Sequence, residues 1–283
     1  MDRKGIIEIQ GVWLGFSIEG EGFPALVIGS SIYYPRTFLG TIRQQLQLIF
    51  IDHRGFAPPP SDGSKNEEIT LDVLLSDIET VRKALSLEYF VIIGHSGHTF
   101  LALEYTKKYP QRVSNLVLIG GSPDFSLATA QARSDFFEKE AEIDRKKALE
   151  ASMAELPDRI AAEPERRFVH LCLATGPLSW YNYRFDATHL WEGVYTNMSV
   201  IDHVWGVIFR DIDITRGLAK LTQPVFLALG RYDYLTGTPF LWDQVKSQFH
   251  NLTIHIFEES AHTPQFEEAD RFNQELIEWF RHQ

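Results

Sequence analysis

Only one cysteine, Cys172, occurs in 283 residues. No disulfide can therefore form within the chain, and nothing in its thiol content points to an oxidising compartment. A cytoplasmic location is the expectation. Positive charge is scarce too: 27 Lys and Arg against 38 Asp and Glu leave a formal net charge of −11, and a field of that sign repels a nucleic-acid backbone. No run approaches the roughly 20 apolar residues of a membrane span. The opening Met1-Asp2-Arg3-Lys4-Gly5 lacks the apolar stretch of a signal peptide. Internal repeats, low-complexity tracts and Gly/Ser linkers are missing as well. Neither nucleic acid nor a membrane is expected as a partner. What is present is an ordinary globular composition, 44% hydrophobic, ample for a sizeable core.

Apolar and polar residues partly alternate at Ile6 to Ile9 and again from Gly11 to Glu19, which predicts an opening antiparallel pair. The pattern then changes to short, nearly continuous apolar runs at Ala25 to Ile28, Leu46 to Ile51, Tyr89 to Ile93 and Leu116 to Ile119. Such runs suit strands buried on both faces of a parallel sheet. Between them the period becomes helical: Leu71, Leu74, Leu75, Ile78, Val81 and Leu85 form one apolar face, and Thr99 to Tyr109 ends at Pro110. Strands at Val225 to Leu229 and Thr253 to Phe257 and a helix from Gln265 to Phe280 close the chain. Strands alternating with helices specify an α/β fold with a mostly parallel central sheet. From Asp124 to about Gly217 the alternation stops, and a charged helical stretch (Ala128 to Leu156) leads into a segment rich in Trp and Tyr. The expected division is a core of residues 1–123 and 218–283 and an inserted helical cap of residues 124–217.

Gly94-His95-Ser96-Gly97-His98 places a serine between a buried strand and a helix. A sharp turn there lifts the hydroxyl above the sheet and sets the next N–H at a helix start, where negative charge is stabilised. A serine hydroxyl is a poor nucleophile without a base, and the base needs a third group to fix its tautomer. Two partners stand beyond later strands: Asp233 in Gly230-Arg231-Tyr232-Asp233, and His262 in Ser260-Ala261-His262-Thr263-Pro264. Ser96 as nucleophile, His262 as base and Asp233 as the orienting acid is the expectation, with Asp124 in reserve as the acid. His95 and His98 flank Ser96 without the accompanying cysteines or His-Glu-x-x-His of a metal site, so no metal and no cofactor are expected.

Three phrases carry a family likeness: Asp52-His53-Arg54-Gly55, Gly230-Arg231-Tyr232-Asp233 and Trp191-Glu192-Gly193. With the serine turn, they make the chain resemble the α/β-hydrolases, and within them the prolyl aminopeptidase (proline iminopeptidase) branch. The resemblance implies a serine hydrolase acting on a small ester or amide, a small molecule or a short peptide, through an acyl-enzyme. It also implies an aminopeptidase whose cap holds a free amine, with Glu192 as the anchor beside Trp191. Two segments depart from the branch. Its His-Gly-Gly-Pro-Gly is here Gly29-Ser30-Ser31-Ile32-Tyr33, and its second glycine after the nucleophile is His98. The oxyanion donors are expected to be the backbone N–H of Gly97 and that of Ser30 or Ser31. A carboxylesterase or lactonase of the same fold is the alternative activity, and a non-catalytic ligand-binding protein on this scaffold is the alternative class.

Overall fold

A computed structural model describes residues 3–59 and 68–283. Eight strands form one sheet in the order β1-β2-β4-β3-β5-β6-β7-β8. The opening pair, β1 (Arg3–Ile9) and β2 (Val12–Glu19), is antiparallel, and β2 runs antiparallel to β4 (Leu46–Asp52). From there β3 (Phe23–Gly29), β5 (Phe90–His95), β6 (Val113–Ile119), β7 (Val225–Gly230) and β8 (Leu252–Phe257) pair in parallel. Each apolar run of the sequence is thus a strand, most of them lengthened by one to three residues, with Tyr89 alone falling outside its strand.

Alternation along the parallel strands divides the core between the two sheet faces. Leu26, Ile28 and Ile92 pack with Leu74, Leu75 and Ile78 of α1 (Leu71–Ala84) and with Phe100 and Leu101 of α2 (His98–Lys108). Ala25, Val27, Val91 and Ile93 share the opposite cluster with Phe272, Leu276 and Trp279 of α9 (Ala269–Arg281). Strands buried on both sides have no water to turn a polar face toward, which is why their sequence reads as unbroken apolar runs. Helix α1 starts where Thr70 accepts the Val73 N–H, a side-chain cap for an otherwise orphaned donor.

Between β6 and β7 lie α3 (Leu127–Glu140), α4 (Ile143–Ala162), α5 (Arg167–Ala174), the short α6 (Gly176–Ser179) and α7 (Met198–His203). The charged stretch expected as one helix is two, broken where Ala141 and Glu142 turn extended. The closing helix is also two, α8 (Pro264–Glu267) and α9, with Glu268 out of helical geometry between them. Val200, Val204, Phe209 and Ile214 pack into the same cluster as α1 and α2. The last part of the inserted region is therefore anchored in the core.

All parallel strands end on one rim. Gly29, His95, Gly230 and Phe257 are the last residues of β3, β5, β7 and β8, and the crevice beyond such strand ends is where ligands bind in open α/β sheets.

Candidate active site

Ser96 immediately follows β5 with a φ of +57°, a conformation few non-glycine residues adopt. The strain is held by neighbours: the Ser96 N–H donates to Ile119 O at 2.9 Å, and Ser96 O accepts from the Thr99 N–H at 3.1 Å and from Thr99 Oγ1 at 2.6 Å. Gly94 must lack a side chain, because a Cβ there would lie 2.4 Å from the His98 carbonyl oxygen. This is the strand-turn-helix geometry the serine motif requires.

His98, which replaces the expected glycine, leaves the turn intact. Its ring occupies space opened on the other side by Gly29, where a Cβ would meet His98 Cε1 at 2.8 Å and Tyr34 Cε2 at 2.3 Å. Its Nδ1 lies 2.9 Å from Tyr34 Oη, which lies 3.3 Å from His95 Nδ1, and His95 Nε2 donates to the His262 carbonyl at 2.8 Å. A carbonyl only accepts, so His95 carries its proton on Nε2 and takes the Tyr34 O–H at Nδ1. His98 then donates from Nδ1 to Tyr34. Burial holds His95 down at about 3 and His98 well below its ordinary range, so both rings are neutral links in this chain. Among the described residues no group of three or more His, Cys, Asp or Glu is placed to hold a metal.

Asp233 and His262 come from the loops after β7 and β8. His262 Nδ1 lies 2.9 Å from Asp233 Oδ2 and 3.2 Å from Thr236 Oγ1, whose own proton goes to Gly120 O at 2.7 Å. The other Asp233 oxygen accepts the N–H groups of Leu235 and Thr236 at 2.9 and 3.0 Å. Burial alone raises the Asp233 carboxyl, but the His262 imidazole and these N–H groups outweigh it and hold the carboxyl below its ordinary range. An imidazole held at Nδ1 by a buried carboxylate keeps Nε2 available to take a proton. Asp124 is elsewhere occupied, accepting from the Ser126 N–H and Thr129 Oγ1 at the start of α3.

Ser96, His262 and Ser30 line one cavity of about 100 Å³, together with Tyr34 and His98. Its walls are aromatic: Tyr33 and Trp191 face each other at 4.3 Å, and Phe168 lies 5.8 Å from Trp191 and 5.5 Å from Trp205. Among the described residues, none lining this cavity carries a carboxylate, ammonium or guanidinium. Cys172 also lines it, but burial pushes the thiol up to about 12, so it is neutral.

Two residues singled out in the sequence lie differently from expectation. The Ser31 N–H is already given to Asp52 Oδ1 at 2.5 Å, and of the two serines Ser30 is the one that lines the cavity. Asp52 also accepts the Gly15 N–H and so braces this turn. Trp191 reaches the cavity, whereas the Glu192 side chain is exposed and only its carbonyl is engaged, by Arg36. Sequence reading missed Thr236, Tyr34 and Glu267. The last sits five residues beyond His262 and holds that loop, and a glutamate at a helix start is its only sequence signal.

The family model described as alpha/beta hydrolase fold matches residues 21–269. The chain is 44% identical over 279 residues to the AB hydrolase superfamily protein YclE of Bacillus subtilis (strain 168), covering 99% of each. It is 25% identical over 295 residues to a proline iminopeptidase of Heyndrickxia coagulans, covering 96% of each. An alpha/beta fold family hydrolase from Bacillus anthracis str. Sterne superposes with a TM-score of 0.71 at 20% identity, over 97% of this chain and 98% of the other. Sheet order, strand-end site and family match agree, and the chain belongs to the α/β-hydrolase superfamily.

Proposed function

We propose that the protein is a serine hydrolase that cleaves a small, uncharged acyl ester through an acyl-enzyme. One observation carries this reading: Ser96, held at positive φ at the end of β5, shares a cavity with an imidazole whose Nδ1 is bound to the buried Asp233. Ser96 Oγ attacks the carbonyl carbon while His262 Nε2 takes its proton. The oxyanion is met by the N–H groups of Gly97 and Ser30. The imidazolium, steadied by Asp233, returns the proton to the departing alcohol. Water, deprotonated by the same imidazole, then releases the acid and frees Ser96.

Residues 1–123 and 218–283 form the catalytic core in this account, and residues 124–217 form the cap. The cap supplies Phe168, Trp180, Trp191 and Trp205 to the cavity and so sets what fits. Aromatic walls without a charged group suit an apolar acyl chain or ring. A prolyl ammonium would need a carboxylate partner in so dry a place, and exposed Glu192 is not one. This favours an esterase over an aminopeptidase, despite the iminopeptidase likeness.

The test is a panel of p-nitrophenyl acetate, butyrate and benzoate beside proline β-naphthylamide, run on wild type and Ser96→Ala. Turnover of at least one ester, lost in Ser96→Ala, is expected, with no release of naphthylamine. Naphthylamide cleavage exceeding ester cleavage contradicts the substrate reading.

A further inference from the structure

The loop that carries His262 is held from three sides. Its own N–H donates to Ser179 O at 2.9 Å, and its carbonyl accepts from His95 Nε2. The N–H groups of the residues on either side, Ala261 and Thr263, both donate to Oε2 of Glu267, at 3.0 and 3.1 Å. The other oxygen of that carboxylate, Oε1, accepts the Tyr181 N–H at 2.5 Å. One side chain thus ties the loop after β8 to the segment that follows α6.

That segment is pinned in turn. Arg145 of α4 donates to the carbonyls of Pro177, Trp180 and Tyr181, and Leu178 O accepts the N–H of Tyr234, the residue after Asp233. Ser179 and Trp180 themselves line the cavity. A shift of this segment therefore pulls on His262 through two connections, its own N–H and Glu267.

We propose that Glu267 is the positioning residue for His262: its ionised carboxylate fixes the backbone on both sides of the imidazole and transmits to it the position of the Leu178–Tyr181 segment. The inference rests on His262 acting as the base. The chemistry of the side chain is specific. Three N–H donors are satisfied through both oxygens, which only a carboxylate can do. A glutamine must turn its NH₂ toward one of the donors. Its one oxygen can keep the Ala261 and Thr263 N–H groups or the Tyr181 N–H but not all three, so the tie between the His262 loop and the Leu178–Tyr181 segment is broken, and a displacement of about 1 Å at a catalytic group costs on the order of 100-fold.

The experiment uses the full chain, with the best ester of the panel, at pH 8.5. Burial pushes the Glu267 carboxyl up to about 7, so it is ionised there. Glu267→Gln is expected to lower kcat by on the order of 10- to 100-fold while KM stays within about threefold. The far-downfield imidazole proton shared by His262 and Asp233 should broaden or shift in the proton NMR spectrum. Unchanged kcat and an unchanged resonance in folded Glu267→Gln overturn the proposal. Should that variant not fold, Glu267→Asp retains the charge but is a methylene shorter. It is expected to show the same split to a smaller degree, and wild-type kcat and resonance there overturn the proposal equally. A wild type that turns over no ester refutes the esterase reading instead, and the NMR comparison still decides whether Glu267 positions the imidazole.

Discussion

Oδ2 of Asp233 lies 2.9 Å from Nδ1 of His262, although the two residues stand at the ends of different strands and 29 positions apart. The carboxylate is completely buried, and its second oxygen is occupied by the N–H groups of Leu235 and Thr236. Asp233→Asn can keep those two bonds through its remaining oxygen, so the fold should persist. The amide, however, favours the wrong imidazole tautomer. Turnover is expected to fall by on the order of 10³ to 10⁴ with an unchanged circular dichroism spectrum. The same loss in Asp124→Asn, with Asp233→Asn active, would identify a different acid.

Glu192 gives the opposite expectation. Its side chain is exposed and the carbonyl that binds Arg36 belongs to the backbone, so Glu192→Gln removes nothing from the cavity. The kcat/KM for an ester should stay within about twofold of wild type, in line with surface substitutions that change little. A tenfold or larger loss would show that Glu192 reaches the substrate when the cap is loaded.

Stability should depend on pH in two stages. Burial holds His53 and His95 down at about 3 and His98 well below 6.5. The unfolded chain protonates these rings below pH 6.5 while the folded one does not, and stability drains as pH falls through that window. Burial raises Asp52 to about 6 and Glu267 to about 7. There the folded state takes up the proton first, so these two groups favour folding as pH falls toward their ordinary values of 3.8 and 4.5. Three groups oppose two between about pH 6.5 and 4.5, giving a shallow decline. Below about pH 4 the histidines still act, joined by Asp233 and by other carboxyls held below their ordinary range, Glu79 and Asp124 among them, whose favourable contacts are lost as they protonate. Urea midpoints at pH 7, 5 and 3.5 should drop little over the first interval and steeply over the second. A steep fall already between pH 7 and 5 contradicts this balance.

The strands were legible because a parallel sheet buries both faces, and Val225 or Ile92 can then have only apolar neighbours. Ser96, Asp233 and His262 could be picked out because each lies in the connection that leaves such a strand, Ser96 directly after β5 and the other two three and five residues beyond β7 and β8. The break at Ala141 and Glu142 could not be read, since neither proline nor glycine marks it. The break at Glu268 was equally hidden: its carboxylate turns back to accept the Glu259 N–H and Ser260 Oγ, a tertiary demand. Ser30 and Ser31 look alike in sequence, and only Asp52, brought alongside by the pairing of β3 with β4, distinguishes them. The aromatic residues of the cap were visible, but irregular connections between short helices decide which of them face the serine.

An activated serine reacts with electrophiles that ordinary serines ignore, so covalent labelling distinguishes Ser96 as a nucleophile from Ser96 as a bystander. The protein is treated with a fluorophosphonate, digested and mapped by mass spectrometry, beside Ser96→Ala and Asp233→Asn. A single adduct on Ser96 is expected, absent from Ser96→Ala and formed far more slowly in Asp233→Asn. An adduct on another residue, or none in protein that still hydrolyses esters, would contradict it.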